Sequence, residues 1–245
     1  MKILALETSA KAVSAAVCEN GKILCSGYQD TGLTHSRTLM PIVEHILKNT
    51  NLTMTDMEAV AVAVGPGSFT GIRIGVSAAK GLAFAADKPA IGVSTLAAMA
   101  RNVAFSDGLV ICAMDARRNQ IYNALFEAKN GQLIRLTEDR AIALADLAEE
   151  IMADPRPKTV VGDGAGLCHA FLTEAGIPCR PAPPHLIMQN AGVPCRMAPA
   201  HLVMQNAMSV ALEAEVLAAE GMLTNAQDLQ PVYLRPAQAE RLRQK

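Results

Sequence analysis

The segment 61–82 places the strongest constraint on how this chain can fold. It begins with the apolar run AVAV and continues through Gly-Pro-Gly to two hydroxyl residues, Ser68 and Thr70. A short apolar run that ends at glycine and proline predicts a strand buried on both faces. Hydroxyl side chains are typical of helix N-caps. We therefore predict a strand over 59–64 and a helix over 70–86.

Small residues are distributed unevenly along this predicted helix. Gly71, Gly75, Ala79 and Ala83 lie four apart and leave one face almost without side chains, which lets another backbone approach closely. Each glycine costs up to about 1 kcal/mol relative to alanine in a helix interior. Two explanations remain open: the face packs on the protein's own sheet, or it contacts a helix of another chain. Arg73 favours the second, because a cation in the first turn of a helix is unfavourable unless an anion lies near it.

The run GPGSFTGIRIG over 65–75, with Gly-Leu at 81–82, resembles the signature of the TsaB family, bacterial subunits required to make threonylcarbamoyladenosine in tRNA. The resemblance extends over the order of elements up to about residue 161 and returns at PVYLR, 231–235. It implies a subunit without catalytic residues that binds the catalytic protein TsaD in a complex with the ATPase TsaE. tRNA would be reached only through that complex.

The resemblance also implies that two helices, 36–47 and 70–86, dock against the partner. Without the partner, the same surface could form a homodimer. The predicted interface residues are Ser68, Thr70, Gly71, Arg73, Ile74, Gly75, Ser77, Ala78, Ala79 and Leu82 in the second helix, and Leu39, Ile42 and Val43 in the first.

The order of predicted strands and helices in the first half of the chain recurs in the second half. The first set of predicted strands is 2–7, 12–19, 22–28, 59–64 and 91–93; the second is 109–115, 121–126, 132–136 and 159–161. Two such units imply two α/β lobes facing across a cleft. The resemblance implies two tandem ribonuclease-H-like, actin-like lobes, each a mixed five-stranded sheet flanked by helices. We expect an N-terminal lobe over 1–105 completed by a helix over 200–221, a second lobe over 106–199, and a loose tail over 236–245.

A tandem duplication interrupts the second half. Residues 177–192 recur as 193–208 with 11 of 16 positions identical, which predicts a connection that tolerates insertion. One copy suffices to lead into the next helix. The copies bring together Cys179, His185, Cys195 and His201, but their spacing is not that of a zinc finger.

The actin-like relatives carry a carboxylate at the end of the first strand of each lobe, beside a phosphate-binding hairpin. The equivalent positions here are Glu7 and Thr8 in the first lobe, and Asp115, Arg117 and Arg118 in the second. Two carboxylates could hold a hydrated magnesium ion. The alternative function is therefore an ATPase or phosphotransferase using Glu7 and Asp115. Because the first hairpin lacks glycines that would bring N–H groups to a phosphate, we predict no cofactor for the chain alone, with ATP and Mg²⁺ only in the complex.

Catalytic TsaD proteins carry a His-x-x-x-His metal pair. The matching positions here are Thr95 and Met99, and neither side chain suits a divalent metal. We therefore predict no metal site.

Composition and charge bear on RNA binding, on the redox compartment and on membrane insertion. The net charge is −1, Trp is absent and aromatic residues make up 3%, so the chain lacks the usual stacking platforms for single-stranded RNA. None of the six cysteines forms a Cys-x-x-Cys pair, which favours buried thiols in a reducing compartment. No charged leader or membrane-length apolar run is present. These features predict a cytoplasmic protein that does not enter membranes.

Overall fold

The computed structural model describes residues 1–117, 119–177, 195–197 and 200–235. The chain divides into two compact units, Met1–Ala98 with Gln205–Lys245, and Met99–Met204. The first unit therefore ends at Ala98 rather than at the predicted residue 105. None of the helices in the described ranges is long and apolar enough to cross a membrane.

The described strands are β1 (Lys2–Glu7), β2 (Val13–Glu19), β3 (Lys22–Gln29), β4 (Ala59–Gly65), β5 (Ala90–Ser94), β6 (Gly108–Asp115), β7 (Gln120–Lys129), β8 (Gln132–Arg135), β9 (Arg140–Ala143), β10 (Lys158–Val161) and β11 (Cys195–Met197). The described helices are α1 (His35–Thr50), α2 (Phe69–Ala85), α3 (Thr95–Arg101), α4 (Leu144–Met152), α5 (Ala165–Glu174), α6 (Ala200–Val203) and α7 (Ala207–Ala219).

The first unit contains a five-stranded sheet in the order β3-β2-β1-β4-β5. β2 is antiparallel to β1 and β3, whereas β4 is parallel to β1 and β5. Alternate side chains of each strand point to opposite faces, so Leu4 and Leu6 pack under α1 and α2 while Ile3 and Ala5 pack under α7. All five strands predicted for this lobe are confirmed.

The second unit has the same strand order. Its sheet runs β11-β10-β6-β7-β8, and β9 also pairs with β7. β8 pairs with residues 126–129 of β7, and β9 pairs with residues 120–123. The two short strands therefore lie one after the other along the same edge of β7. The two-lobe fold class is confirmed, but this sheet has six strands among the described residues rather than five. β9 and β11 were not predicted: β9 runs directly into α4 with no turn residue between them, and β11 is only three residues long.

The hairpin turns between β2 and β3 and between β7 and β8 form at Asn-Gly pairs. Asn20 and Gly21 have φ of 50° and 77°, and Asn130 and Gly131 have 53° and 78°. Two consecutive positive φ angles fit the turn type that matches the twist of paired strands.

Two helix predictions need correction. α1 runs from His35 to Thr50 rather than over the predicted 36–47, with Thr34 at its N-cap position and Pro41 inside the helix. The single helix predicted over 200–221 is divided into α6 and α7. The division occurs because Asn206 is extended and its side chain accepts a 3.0 Å hydrogen bond from the N–H of Ser209, which makes it the N-cap of α7.

The duplicated segment is described only in part. β11 belongs to the second copy and pairs in parallel with β10. The first copy from residue 178, the remaining residues up to 194 and the tail over 236–245 lie outside the described residues.

Candidate partner-binding surface

The glycine-rich face of α2 packs on its own sheet. A methyl group at Gly71 would overlap the carbonyl oxygen of Thr8, and one at Gly75 would overlap the Thr8 hydroxyl oxygen. Ala79 and Ala83 belong to the buried core of the same unit. The glycines therefore allow the turn after β1 to reach the backbone of α2, and the first of the two explanations holds.

This packing corrects part of the predicted interface. Gly71, Gly75 and Ala79 are buried within their own unit and cannot meet a foreign backbone. Leu39 and Val43 were also predicted to contact a partner, but only 1% and 2% of their surfaces are exposed, because they pack on the sheet from α1.

The turn after β1 is joined to the N-terminus of α2 by several hydrogen bonds. The Thr8 hydroxyl donates to the Gly71 carbonyl oxygen at 2.7 Å, and the Ser68 N–H donates to the Ser9 carbonyl oxygen at 2.6 Å. Ser68 is the N-cap of α2, as predicted, and its side chain accepts from the Gly71 N–H at 3.3 Å. These bonds fix the position of α2 and so determine which of its residues face outward.

The outward face of α2 forms a groove with α1. Its volume is about 530 Å³. Leu39 is part of its lining although it is almost fully buried, and Met40 is 43% exposed. The lining residues are Ser36, Leu39, Met40, Phe69, Thr70, Arg73, Ile74, Ser77 and Ala78.

Most of the predicted interface residues in α2 belong to this groove or lie beside it. Ser68, Thr70, Arg73 and Ser77 are exposed; Ile74, Ala78 and Leu82 are partly exposed, as is Ile42 in α1. Sequence reasoning missed three lining residues. Phe69 preceded the predicted start of the helix, while Ser36 and Met40 lie four apart on α1, a spacing that could have placed them on one face.

An aromatic and cationic cluster lies at one side of the groove. The Arg73 guanidinium carbon lies 3.9 Å from the centre of the Phe69 ring, and its Nε donates a 2.9 Å hydrogen bond to the Tyr233 hydroxyl. The rings of Phe69 and Tyr233 have centroids 4.8 Å apart. Tyr233 belongs to the PVYLR segment, so the second region of sequence resemblance contacts the first.

Two further contacts hold this C-terminal segment against β4 and α2. The Val232 N–H donates to the Val64 carbonyl oxygen at 2.8 Å. The Lys80 ammonium group donates to the carbonyl oxygens of Gln227 and Leu229 at 2.8 and 3.2 Å.

The predicted nucleotide residues lie in separate units. Glu7 is 1% exposed and accepts a hydrogen bond from the Ser9 N–H at 2.5 Å, and Thr8 is buried. Asp115 is exposed, and its carboxylate accepts from the N–H of Arg117, a residue in the left-handed conformation with φ of 64°. Arg118 lies outside the described residues.

The end of β6 is packed as closely as the end of β1. A methyl group at Gly164 would lie 2.8 Å from the backbone nitrogen of Asp115. In each unit, a glycine-containing turn follows the strand that pairs in parallel with the first strand, β4 beside β1 and β10 beside β6, and this turn covers the end of the first strand.

The two positions that the sequence resemblance matched to a metal-binding pair are buried. Thr95 is fully buried and Met99 nearly so. The described part of the chain contains no group of three or more His, Cys, Asp or Glu side chains that could hold a metal ion.

Comparison with known proteins gives consistent results. Residues 29–174 match the family model described as TsaD, tRNA N6-adenosine threonylcarbamoyltransferase. A tRNA threonylcarbamoyladenosine biosynthesis protein TsaB from Bacillus subtilis is 36% identical over 68% of this chain and 73% of the relative. The protein of that name from Escherichia coli is 35% identical over 62% of this chain and 66% of the relative.

Solved structures extend the likeness to nearly the whole chain. A Pseudomonas aeruginosa protein described as uncharacterized, with similarity to peptidase YeaZ, superposes with a TM-score of 0.78 at 27% identity and covers 96% of this chain and 99% of that one. YeaZ from the same organism superposes with a TM-score of 0.74 at 25% identity, over 95% and 99% of the two chains.

Proposed function

Because the chain belongs to the TsaB family, we propose that it takes part in threonylcarbamoyladenosine formation as a subunit without catalytic residues of its own. In this proposal it binds a TsaD protein through the groove between α1 and α2. The relatives named as biosynthesis proteins support the pathway, and the exposed groove supports the mode of action.

The observation that carries the proposal is the difference between the two faces of α2. The inner face packs against the protein's own sheet, whereas the outer face presents an apolar groove of about 530 Å³ whose lining includes Met40. Phe84, near the end of the same helix, is 67% exposed. Contiguous exposed apolar surface is typical of a protein–protein interface.

The TsaD family model supports the choice of partner. Its match covers both α1 and α2, so a TsaD protein is expected to carry a corresponding pair of helices. Two such pairs can pack with side-chain ridges in grooves. The same surface would make a homodimer when TsaD is absent, and TsaE and tRNA would join only through the assembled complex in the cytoplasm.

The proposal assigns no nucleotide site to the chain alone. Glu7 is buried, and the Thr8 hydroxyl donates to Gly71, so neither is presented to a solvated magnesium ion. ATP and Mg²⁺ would bind only in the complex. The alternative ATPase predicts instead that the isolated chain binds Mg-ATP in a calorimetric titration and loses that binding on Asp115→Ala.

Co-purification with the TsaD protein of the same organism tests the proposal. Ser77→Arg places a long charged side chain in the groove on an exposed helix position. The matched control is Ala170→Arg, which adds the same side chain to an exposed position of α5. We expect the wild type and the control to form a complex on size exclusion, and Ser77→Arg to elute alone with an unchanged unfolding midpoint. A wild-type chain that never co-elutes with TsaD would refute the proposal, and equal binding by all three proteins would exclude the groove.

A further inference from the structure

The cluster around Arg73 indicates the chemistry of the partner. We propose that the partner places a carboxylate against the Arg73 guanidinium and that Tyr233 is a positioning residue for this contact. The inference rests on the proposed function, because it concerns the same docking surface.

The guanidinium is held from two sides. The guanidinium carbon lies over the Phe69 ring, 3.9 Å from its centre, and the Tyr233 hydroxyl accepts a hydrogen bond from Nε. The ring of Tyr233 is 5.8 Å from the same carbon. A cation stacked on aromatic rings in this way keeps its charge while losing much of its rotational freedom.

The rest of the guanidinium is available. Within the part of the chain that the structure describes, its two terminal nitrogens have no hydrogen-bond or ion-pair partner. An Arg guanidinium with free terminal N–H groups matches a carboxylate in a bidentate arrangement.

The groove itself provides no such carboxylate. None of its lining residues is acidic, and α2 contains Arg73 and Lys80 but no Asp or Glu. A partner with an acidic residue facing Arg73 therefore complements the surface in charge. The acidic residue of α1 itself, Glu44, is exposed one turn after Met40 and is not among the lining residues.

Tyr233 reaches the groove because its segment is anchored elsewhere. Val232 is bonded to β4, and Lys80 holds the preceding turn through Gln227 and Leu229. The C-terminal segment therefore fixes the Arg73 side chain before the partner arrives, which lowers the entropic cost of binding.

The test is the affinity of the chain for the TsaD protein, measured by calorimetry at low and high salt. Arg73→Gln removes the charge, Arg73→Lys keeps it without the planar fork, and Tyr233→Phe removes only the hydroxyl. Lys129→Gln, an exposed position on β7, is the charge-matched control. Circular dichroism and unfolding midpoints verify that each variant is folded.

We expect Arg73→Gln to weaken binding about tenfold or more and to flatten its salt dependence. Arg73→Lys should retain part of the affinity, Tyr233→Phe should weaken it about two- to fivefold, and the control should match the wild type. If Arg73→Gln binds like the wild type at both salt concentrations, the carboxylate contact is refuted while the proposed function stands. If only Tyr233→Phe is unchanged, its positioning role is refuted. A wild type that does not bind TsaD refutes both the proposed function and this inference.

Discussion

The Thr8 hydroxyl donates a 2.7 Å hydrogen bond to the carbonyl oxygen of Gly71, a residue 63 positions later in the chain. At the same point the Thr8 carbonyl oxygen occupies the space that a side chain at position 71 would need. The glycine signature of α2 is therefore a requirement of the fold, and the groove proposed to bind a partner lies on the opposite side of the helix.

The first prediction compares the effects of alanine substitutions at two glycines of α2 on stability. Gly71→Ala should lower the free energy of unfolding by about 1–3 kcal/mol or more, because the new methyl group overlaps backbone that cannot rotate away. Gly81→Ala is the control: its methyl group would meet nothing within 4 Å, and alanine should add up to about 1 kcal/mol. Urea denaturation measures both. Equal effects at the two positions would contradict the packing described for α2.

Much of the fold follows from local sequence signals. The two Asn-Gly turns, the apolar β4 run and the Ser68 cap predict their elements because each depends on residues close together in the chain. The strands β9 and β11 were not predicted, because they are defined by pairing with β7 and β10 rather than by a local sequence signal.

The site is predictable only on its exposed side. A row of glycines and alanines on a helix allows close approach by a backbone of the same chain or of another chain. The contact with Thr8, which is distant in sequence, shows that the backbone next to Gly71 and Gly75 belongs to the same chain. Tyr233 could not be placed beside Arg73 either, since the two are 160 residues apart. Both failures concern contacts that exist only in the folded chain.

A second prediction concerns Lys80. Lys80→Met should lower the free energy of unfolding by about 1–2 kcal/mol and increase hydrogen exchange over 226–235, because two carbonyl oxygens lose their donor. Lys11→Met, at an exposed position, is the control. Unchanged exchange in the C-terminal segment would show that Lys80 does not anchor it.

A third prediction concerns acid stability. The hydrogen bond and charge of Arg156 hold the pKa of Asp154 below its usual range, and the two groups are 2.5 Å apart. A carboxylate with a lowered folded pKa stabilises the protein above its unfolded pKa of about 3.9 and loses this contribution as the pH falls through the folded pKa. Asp154→Asn should therefore cost about 1 kcal/mol at pH 7 and progressively less below about pH 4. Urea titrations from pH 7 to pH 3 measure the difference, and a constant difference over that range would contradict the account.

A fourth prediction concerns the cysteines. Burial, followed by the charge of Glu215, raises the pKa of Cys18 to about 11, and burial raises the pKa of Cys112 well above its usual value. Both thiols should therefore resist iodoacetamide at pH 8, because the thiolate is the reactive form. Among the four cysteines whose side chains the structure describes, Cys25 is the partly exposed one and should react before Cys18, Cys112 and Cys168. Peptide mass spectrometry of native and urea-unfolded protein identifies the labelled positions; rapid native labelling of Cys112 would contradict its burial.

Hydrogen exchange of the chain with and without its TsaD partner tests the central claim most directly, because it reports which surface the partner covers. We expect complex formation to slow exchange in α1 and in the outer part of α2, together with the segment that carries Tyr233, while exchange in α4 and α5 is unchanged. A stable complex that leaves α1 and α2 unprotected would contradict the account.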